Sequence, residues 1–120
     1  GKGKLLWSAA PIEMSRPYMS RQVFTRMLQS LIGEMVYTSN APKFVEVIGW
    51  EKDGSDYFAV INEQEESPVV SMHDIYIDVK KPDKKAVLLP EGTELQTEVL
   101  GDTLRIYLPK VEIFRMIRLV

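Results

Sequence analysis

Residues 72–80 read Met72-His73-Asp74-Ile75-Tyr76-Ile77-Asp78-Val79-Lys80, and from Asp74 onward polar and apolar side chains alternate. Successive side chains of a strand point to opposite faces, so Ile75, Ile77 and Val79 share one face and Asp74, Tyr76 and Asp78 the other. A dry face backed by a wet one is the pattern of an antiparallel sheet over a core. The same register recurs downstream. In residues 94–109, ELQTEVLGDTLRIYLP, the dipeptide Gly101-Asp102 marks a hairpin turn; Leu104, Ile106 and Leu108 point inward, Arg105 and Tyr107 outward. Upstream, residues 43–63, KFVEVIGWEKDGSDYFAVINE, are two strands around Asp53-Gly54, a pair suited to the positive φ angles of a tight hairpin. Residues 111–120, VEIFRMIRLV, close the chain as a last strand. Six or so strands separated by turns make an antiparallel β-sandwich over residues 41–120.

Ahead of the turn-rich Thr38-Ser39-Asn40-Ala41-Pro42 the periodicity is different. Leu5-Leu6-Trp7-Ser8-Ala9-Ala10 is a continuous apolar run between glycines and a proline, the signature of a strand covered on both faces in a parallel sheet. Past Pro17, Ser20 can cap a helix whose apolar positions Val23, Met27, Leu28, Leu31, Ile32 and Met35 recur at helical spacing. One strand and one helix cannot bury their own faces. Residues 1–40 therefore read as a single strand–helix unit left from an α/β domain, and the fold class as mainly β. The apolar surface left over on that unit predicts self-association as a homo-oligomer, or burial against the rest of the protein.

Composition narrows the function. In 120 residues, 45% apolar and 27% charged residues are globular proportions, and a chain of this size buries about two thirds of its unfolded surface. A net charge of −2 with scattered Lys and Arg gives no basic footprint for nucleic acid, and no apolar run is long enough for a membrane span. Cysteine is absent, which excludes disulfides, thiolate metal sites and cysteine nucleophiles and leaves the compartment open. Gly1-Lys2-Gly3-Lys4 precedes its apolar run, whereas a phosphate loop follows its strand and opens a helix, so it reads as a surface turn. His73 is the sole histidine and reads as structural rather than as a metal ligand. Glu63, Glu65 and Glu66 form a solvated run, no Gly-x-Ser-x-Gly occurs, and no opposed pair of carboxylates of the glycosidase kind is encoded. The chain is thus expected to be non-catalytic, with no cofactor and no metal. Outward aromatics remain. Trp50, Tyr76 and Tyr107 could stack on the C–H faces of a carbohydrate, or could cover an interface with a neighbouring domain; their dispersal over different strands favours the interface.

The order of these features resembles the C-terminal end of bacterial glycoside hydrolases related to family 42 beta-galactosidases. There a catalytic (β/α)8 barrel is followed by a flavodoxin-like trimerisation domain and then a small β-sandwich. GKGKLLWSAAPIE (1–13) looks like the last strand of the middle domain and RQVFTRMLQSLI (21–32) like its last helix. APKFVEVIGWEKDGSDYFAVINEQEES (41–67), with its apolar strand ending in Asn62, looks like the entry to the sandwich, and LPKVEIFRMIRLV (108–120) like its closing strand. The resemblance implies a non-catalytic accessory domain whose partners are the preceding domains of a longer chain. It also implies that the catalytic glutamates lie in the barrel, so that no residue here inherits them. Asn62 is expected to hold a turn by hydrogen bonding.

Overall fold

Inward alternation at residues 75–79 builds the centre of one sheet, and the rest of the sandwich assembles around it. The computed structural model describes residues 3–9, 11–14, 18–65 and 68–120, and the chain divides into two compact units, residues 1–35 and 36–120.

The second unit holds nine strands among the described residues: β1 Tyr37–Ser39, β2 Val45–Lys52, β3 Ser55–Asn62, β4 Met72–Val79, β5 Ala86–Leu89, β6 Thr93–Glu94, β7 Thr97–Leu100, β8 Thr103–Val111 and β9 Phe114–Leu119. They form a four-stranded sheet in the order β1-β4-β8-β7 and a five-stranded sheet in the order β2-β3-β9-β5-β6. Every described pairing is antiparallel. Both expected hairpins form: Lys52 pairs with Ser55 around Asp53 and Gly54 (φ 52° and 74°), and Leu100 with Thr103 around Gly101 and Asp102. Two successive positive φ angles give the turn whose twist matches that of its strands.

The core lies between the sheets. Ile75, Ile77 and Val79 of β4 and Leu104, Ile106 and Leu108 of β8 meet Phe58 and Val60 of β3 and Ile117 and Leu119 of β9, all buried. The inward side chains expected from alternation are those observed. Tyr37 joins the two sheets at one edge: its ring meets Phe58 edge-on at 5.3 Å, and its hydroxyl donates to the Val47 carbonyl (2.9 Å) and accepts from the Gly49 amide (3.2 Å). Because β1 pairs with β4, the sandwich begins at Tyr37, and the boundary expected at residue 40 moves to follow Met35.

The first unit departs further from expectation. Residues 3–9 form no strand, and Leu5 and Trp7 are exposed, since no described segment supplies the ladder hydrogen bonds that a parallel strand requires. What remains is a short 3-10 turn, Ile12–Met14, and helix α1, Tyr18–Ile32. Ser20 is the third helical residue rather than the cap, and Met35 lies past the helix, which Gly33 ends at φ 76° by donating to the Gln29 carbonyl (3.0 Å). Gly1, Lys2, Ala10, Pro17 and Glu66 of the expected features lie outside the described residues.

Candidate functional site

Tyr76 and Tyr107 are cross-strand partners on the outer face of the four-stranded sheet, with ring centroids 6.5 Å apart at 65°. The Arg105 guanidinium lies 3.9 Å over the Tyr76 ring. It donates through Nε and Nη2 to the two Asp78 carboxylate oxygens at 2.8 and 2.9 Å, which combines a bidentate ion pair with a cation–π contact. Tyr107 donates its hydroxyl to Glu98 Oε2 at 2.7 Å, and that acceptor, foremost, pushes the phenol above its ordinary pKa. One face of the Tyr76 ring is therefore already occupied by a cation. Trp50 sits elsewhere, on the outer face of the five-stranded sheet, stacked on Tyr57 with centroids 5.7 Å apart and planes 13° from parallel. The sandwich brings Tyr76 and Tyr107 together and places Trp50 on the opposite side, so the three rings share no single platform.

Beside Tyr107 the sheets part. The β4–β8 ladder pairs His73 with Lys110 and Ile75 with Leu108 but skips the residues between, Asp74 and Pro109. Pro109 has no N–H to donate, and Asp74 takes φ 56°, a left-handed conformation that aspartate tolerates better than most residues. Alternation slips here: Met72 packs against the core as Ile75 does, three residues on, so Asp74 departs from the face it was expected to share with Tyr76 and Asp78. Two side chains brace the kink. Asn40 donates to the Asp74 carbonyl (3.0 Å) and accepts from the Tyr76 amide (2.7 Å), replacing the backbone that β1 no longer supplies, and His73 Nδ1 lies 3.1 Å from the Pro109 carbonyl, to which it can donate. His73 thus has a structural use.

The bend opens a cleft of about 400 Å³ between β8 and the β5–β6 edge, within the ~300–1,000 Å³ typical of small-molecule sites. Leu88, Leu95 and Leu108 floor it, and Asp74, Gln96, Tyr107 and Arg115 stand around it. Sequence reading missed this site, although Pro109 in mid-strand was a signal, since proline in a sheet interior marks a break.

The outer face of the five-stranded sheet carries a different feature. Register places Trp50, Tyr57, Arg118 and Val87 in one row, Ile48, Ala59, Met116 and Leu89 in the next, and Glu46, Ile61 and Phe114 in a third. Nine of these eleven side chains are apolar or aromatic, and Ile48, Trp50 and Phe114 are 41%, 37% and 48% exposed. Arg118 ties one margin by donating to the Ser55 hydroxyl (3.2 Å). An outer sheet face should alternate as polar; this one does not.

Asn62, buried at the end of β3, donates to the Val70 and Glu112 carbonyls (3.0 and 2.8 Å) and accepts from Gln64 (2.9 Å). It holds a turn, as the resemblance implied, and in fact holds two. Glu63 and Glu65 line a shallow depression with Lys43 and Phe44. Among the described residues no three His, Cys, Asp or Glu side chains converge as a metal site.

No family model matches the sequence, and no curated protein matches it. Among solved structures, alpha-L-fucosidase isoenzyme 2 from Paenibacillus thiaminolyticus matches 84% of this chain with a TM-score of 0.70 at 13% identity. The chain spans 18% of the length of that one. At such identity the likeness shows the fold, a sandwich that a bacterial glycoside hydrolase carries as a small part of its length. It is not a likeness to family 42 beta-galactosidases in particular.

Proposed function

We propose that this chain is a non-catalytic accessory β-sandwich of a beta-galactosidase-like glycoside hydrolase, and that its work is to pack against another domain of the same polypeptide. The observation that carries the reading is the apolar outer face of the five-stranded sheet, Ile48, Trp50, Tyr57, Met116 and Phe114. Exposed patches of this kind run to a few hundred Å² and mark contact surfaces; at ~25 cal/mol per Å², covering one contributes several kcal/mol. Lys52 and Glu46 at its ends give the polar rim of an interface. The proposed occupant is a preceding domain of the same polypeptide; in support of a multidomain setting, the fucosidase carries the same fold as only 18% of a longer chain. On this reading residues 1–35 are the end of a flavodoxin-like domain, and the catalytic carboxylates stand in a barrel.

Replacing Ile48 and Phe114 by Thr keeps strand propensity and removes the apolar face. In this chain alone the double variant is expected to lose under about 1 kcal/mol, since both side chains are already partly wet. In the longer polypeptide it should lose at least about 2 kcal/mol more while the glycosidase active site keeps its kcat. Equal losses in the two contexts would contradict the packing role, and reproducible aryl-glycoside turnover by this chain alone would contradict the non-catalytic one.

A further inference from the structure

We propose that the cleft at the β4–β8 kink binds a short uncharged saccharide, with Asp74 as the main acceptor of its hydroxyl hydrogen bonds. Three independent observations converge there. The first is shape: the opening is about 400 Å³, enough for a small ligand, with a floor of Leu88, Leu95 and Leu108.

The second is strain. Asp74 is one of two non-glycine residues with positive φ among the described residues, and the other, Asp53, is explained by its hairpin turn. Asp74 has no such turn; the strand continues on both sides, and Asn40 is spent holding the conformation. Backbone strain maintained by its surroundings concentrates at functional sites. Here it sets an acidic side chain on the wall of a cleft.

The third is charge balance. Of the four charged residues that line the cleft, Lys110 pairs with Glu112 at 2.5 Å and Glu94 with Lys85 at 3.0 Å. Asp74 has no ion-pair partner among the described residues. Arg115 donates Nε to the Lys110 carbonyl at 3.4 Å and its charge favours the ionised Glu112, and its other N–H groups make no hydrogen bond among the described residues. A carboxylate without an ion-pair partner and a guanidinium only partly engaged, both lining one cleft, favour a ligand that is neutral overall and offers both donors and acceptors. A carboxylate accepts from two neighbouring hydroxyls, and Arg115 and the Gln96 amide donate to ring or hydroxyl oxygens. Leu95, Pro109 and the flank of Tyr107 cover the C–H face of a sugar ring. The choice of a saccharide over another polyol rests on the glycosidase reading above; the neutral, hydroxyl-rich character of the ligand does not.

The test is amide and side-chain NMR of the full chain during titration with neutral mono- and oligosaccharides, with glycerol, uronic acids and free amino acids as comparisons. Shifts should concentrate at Asp74, Gln96, Tyr107 and Arg115, with dissociation constants in the millimolar range or tighter. Asp74→Asn keeps the side-chain size and the tolerance of positive φ, so the fold stays and affinity should fall at least tenfold; Gln96→Ala should weaken it, and Trp50→Ala should leave it unchanged. Binding retained in Asp74→Asn, shifts confined to the Trp50 face, no binding of any neutral saccharide at tens of millimolar, or tighter binding of the charged compounds would each overturn the proposal. The packing face is assayed with Ile48 and Phe114, which do not line the cleft, so either idea can fail alone.

Discussion

Gly49→Ala reverses the usual effect of removing a glycine from a strand. Alanine in a strand interior ordinarily gains about 0.5–1 kcal/mol over glycine, because the unfolded chain loses freedom. At Gly49 the added Cβ would lie 2.8 Å from Cε1 of Tyr37 and 2.9 Å from Cε1 of Phe58. Neither ring can yield cheaply. Phe58 is 4% exposed in the core, and Tyr37 is tethered at its far end by the bonds to Val47 and Gly49. Overpacking of a tight core costs about 1–3 kcal/mol, and each Tyr37 bond lost as the ring moves costs about 0.5–1.5 kcal/mol more. The net is a destabilisation of roughly 1.5–3 kcal/mol, or about 6–20 °C in Tm for a domain of this size. Urea unfolding of the full chain measures it, read by tryptophan fluorescence and far-UV dichroism, with Tyr37→Ala and the double variant completing a cycle. Removing the Tyr37 ring should make the added methyl much less costly, so the double variant loses less than the sum of the singles. A Gly49→Ala chain as stable as the parent, or additive losses in the cycle, would refute the steric argument and with it the clasp between the two sheet edges.

Asn62→Ala should cost about 2 kcal/mol, because the Val70 and Glu112 carbonyls and the Gln64 amide lose their shared partner, and hydrogen exchange should speed up at both turns it joins. Spectrophotometric titration should find one tyrosine ionising above the ordinary phenol range, and Glu98→Gln should bring it back, since the Glu98 carboxylate is the leading cause of the shift. A folded pKa raised above the unfolded one means that this pair stabilises the fold below the ordinary tyrosine range and that the contribution is lost as pH rises through the folded value. Arg105→Lys should lower the thermal midpoint measurably, as a lysine can neither pair bidentately with Asp78 nor lie flat on Tyr76.

Alternation made the sandwich legible. Ile75, Ile77, Leu104, Ile106 and Leu108 are inward because period two and a single buried face leave them no other arrangement, and both hairpins followed from their turn dipeptides. The N-terminal strand was not legible, because an apolar run reports burial and leaves its hydrogen-bond partners unstated, and Leu5 to Trp7 have none among the described residues. The three aromatic candidates illustrate a second limit. Alternation indicates that Trp50, Tyr76 and Tyr107 point outward but not from which sheet, and sheet membership separated Trp50 from the tyrosines. The cleft depends on an irregularity, the Asp74–Pro109 skip, that periodic reasoning smooths over. The apolar outer face is a third case: the rows Trp50–Tyr57 and Ile48–Ala59–Met116 come together only once strand order is fixed.

If another domain covers this outer face, its side chains lose access to solvent, and hydroxyl-radical footprinting measures that access directly. The comparison is between this chain and the longer polypeptide translated from its full open reading frame, quantified at Trp50, Met116 and Phe114, with Tyr76 on the opposite face as the reference. All three should react readily here and be protected at least several-fold in the longer protein, relative to Tyr76. Unchanged reactivity at these three residues in the longer protein, or a reading frame that encodes no further domain, would contradict the packing role.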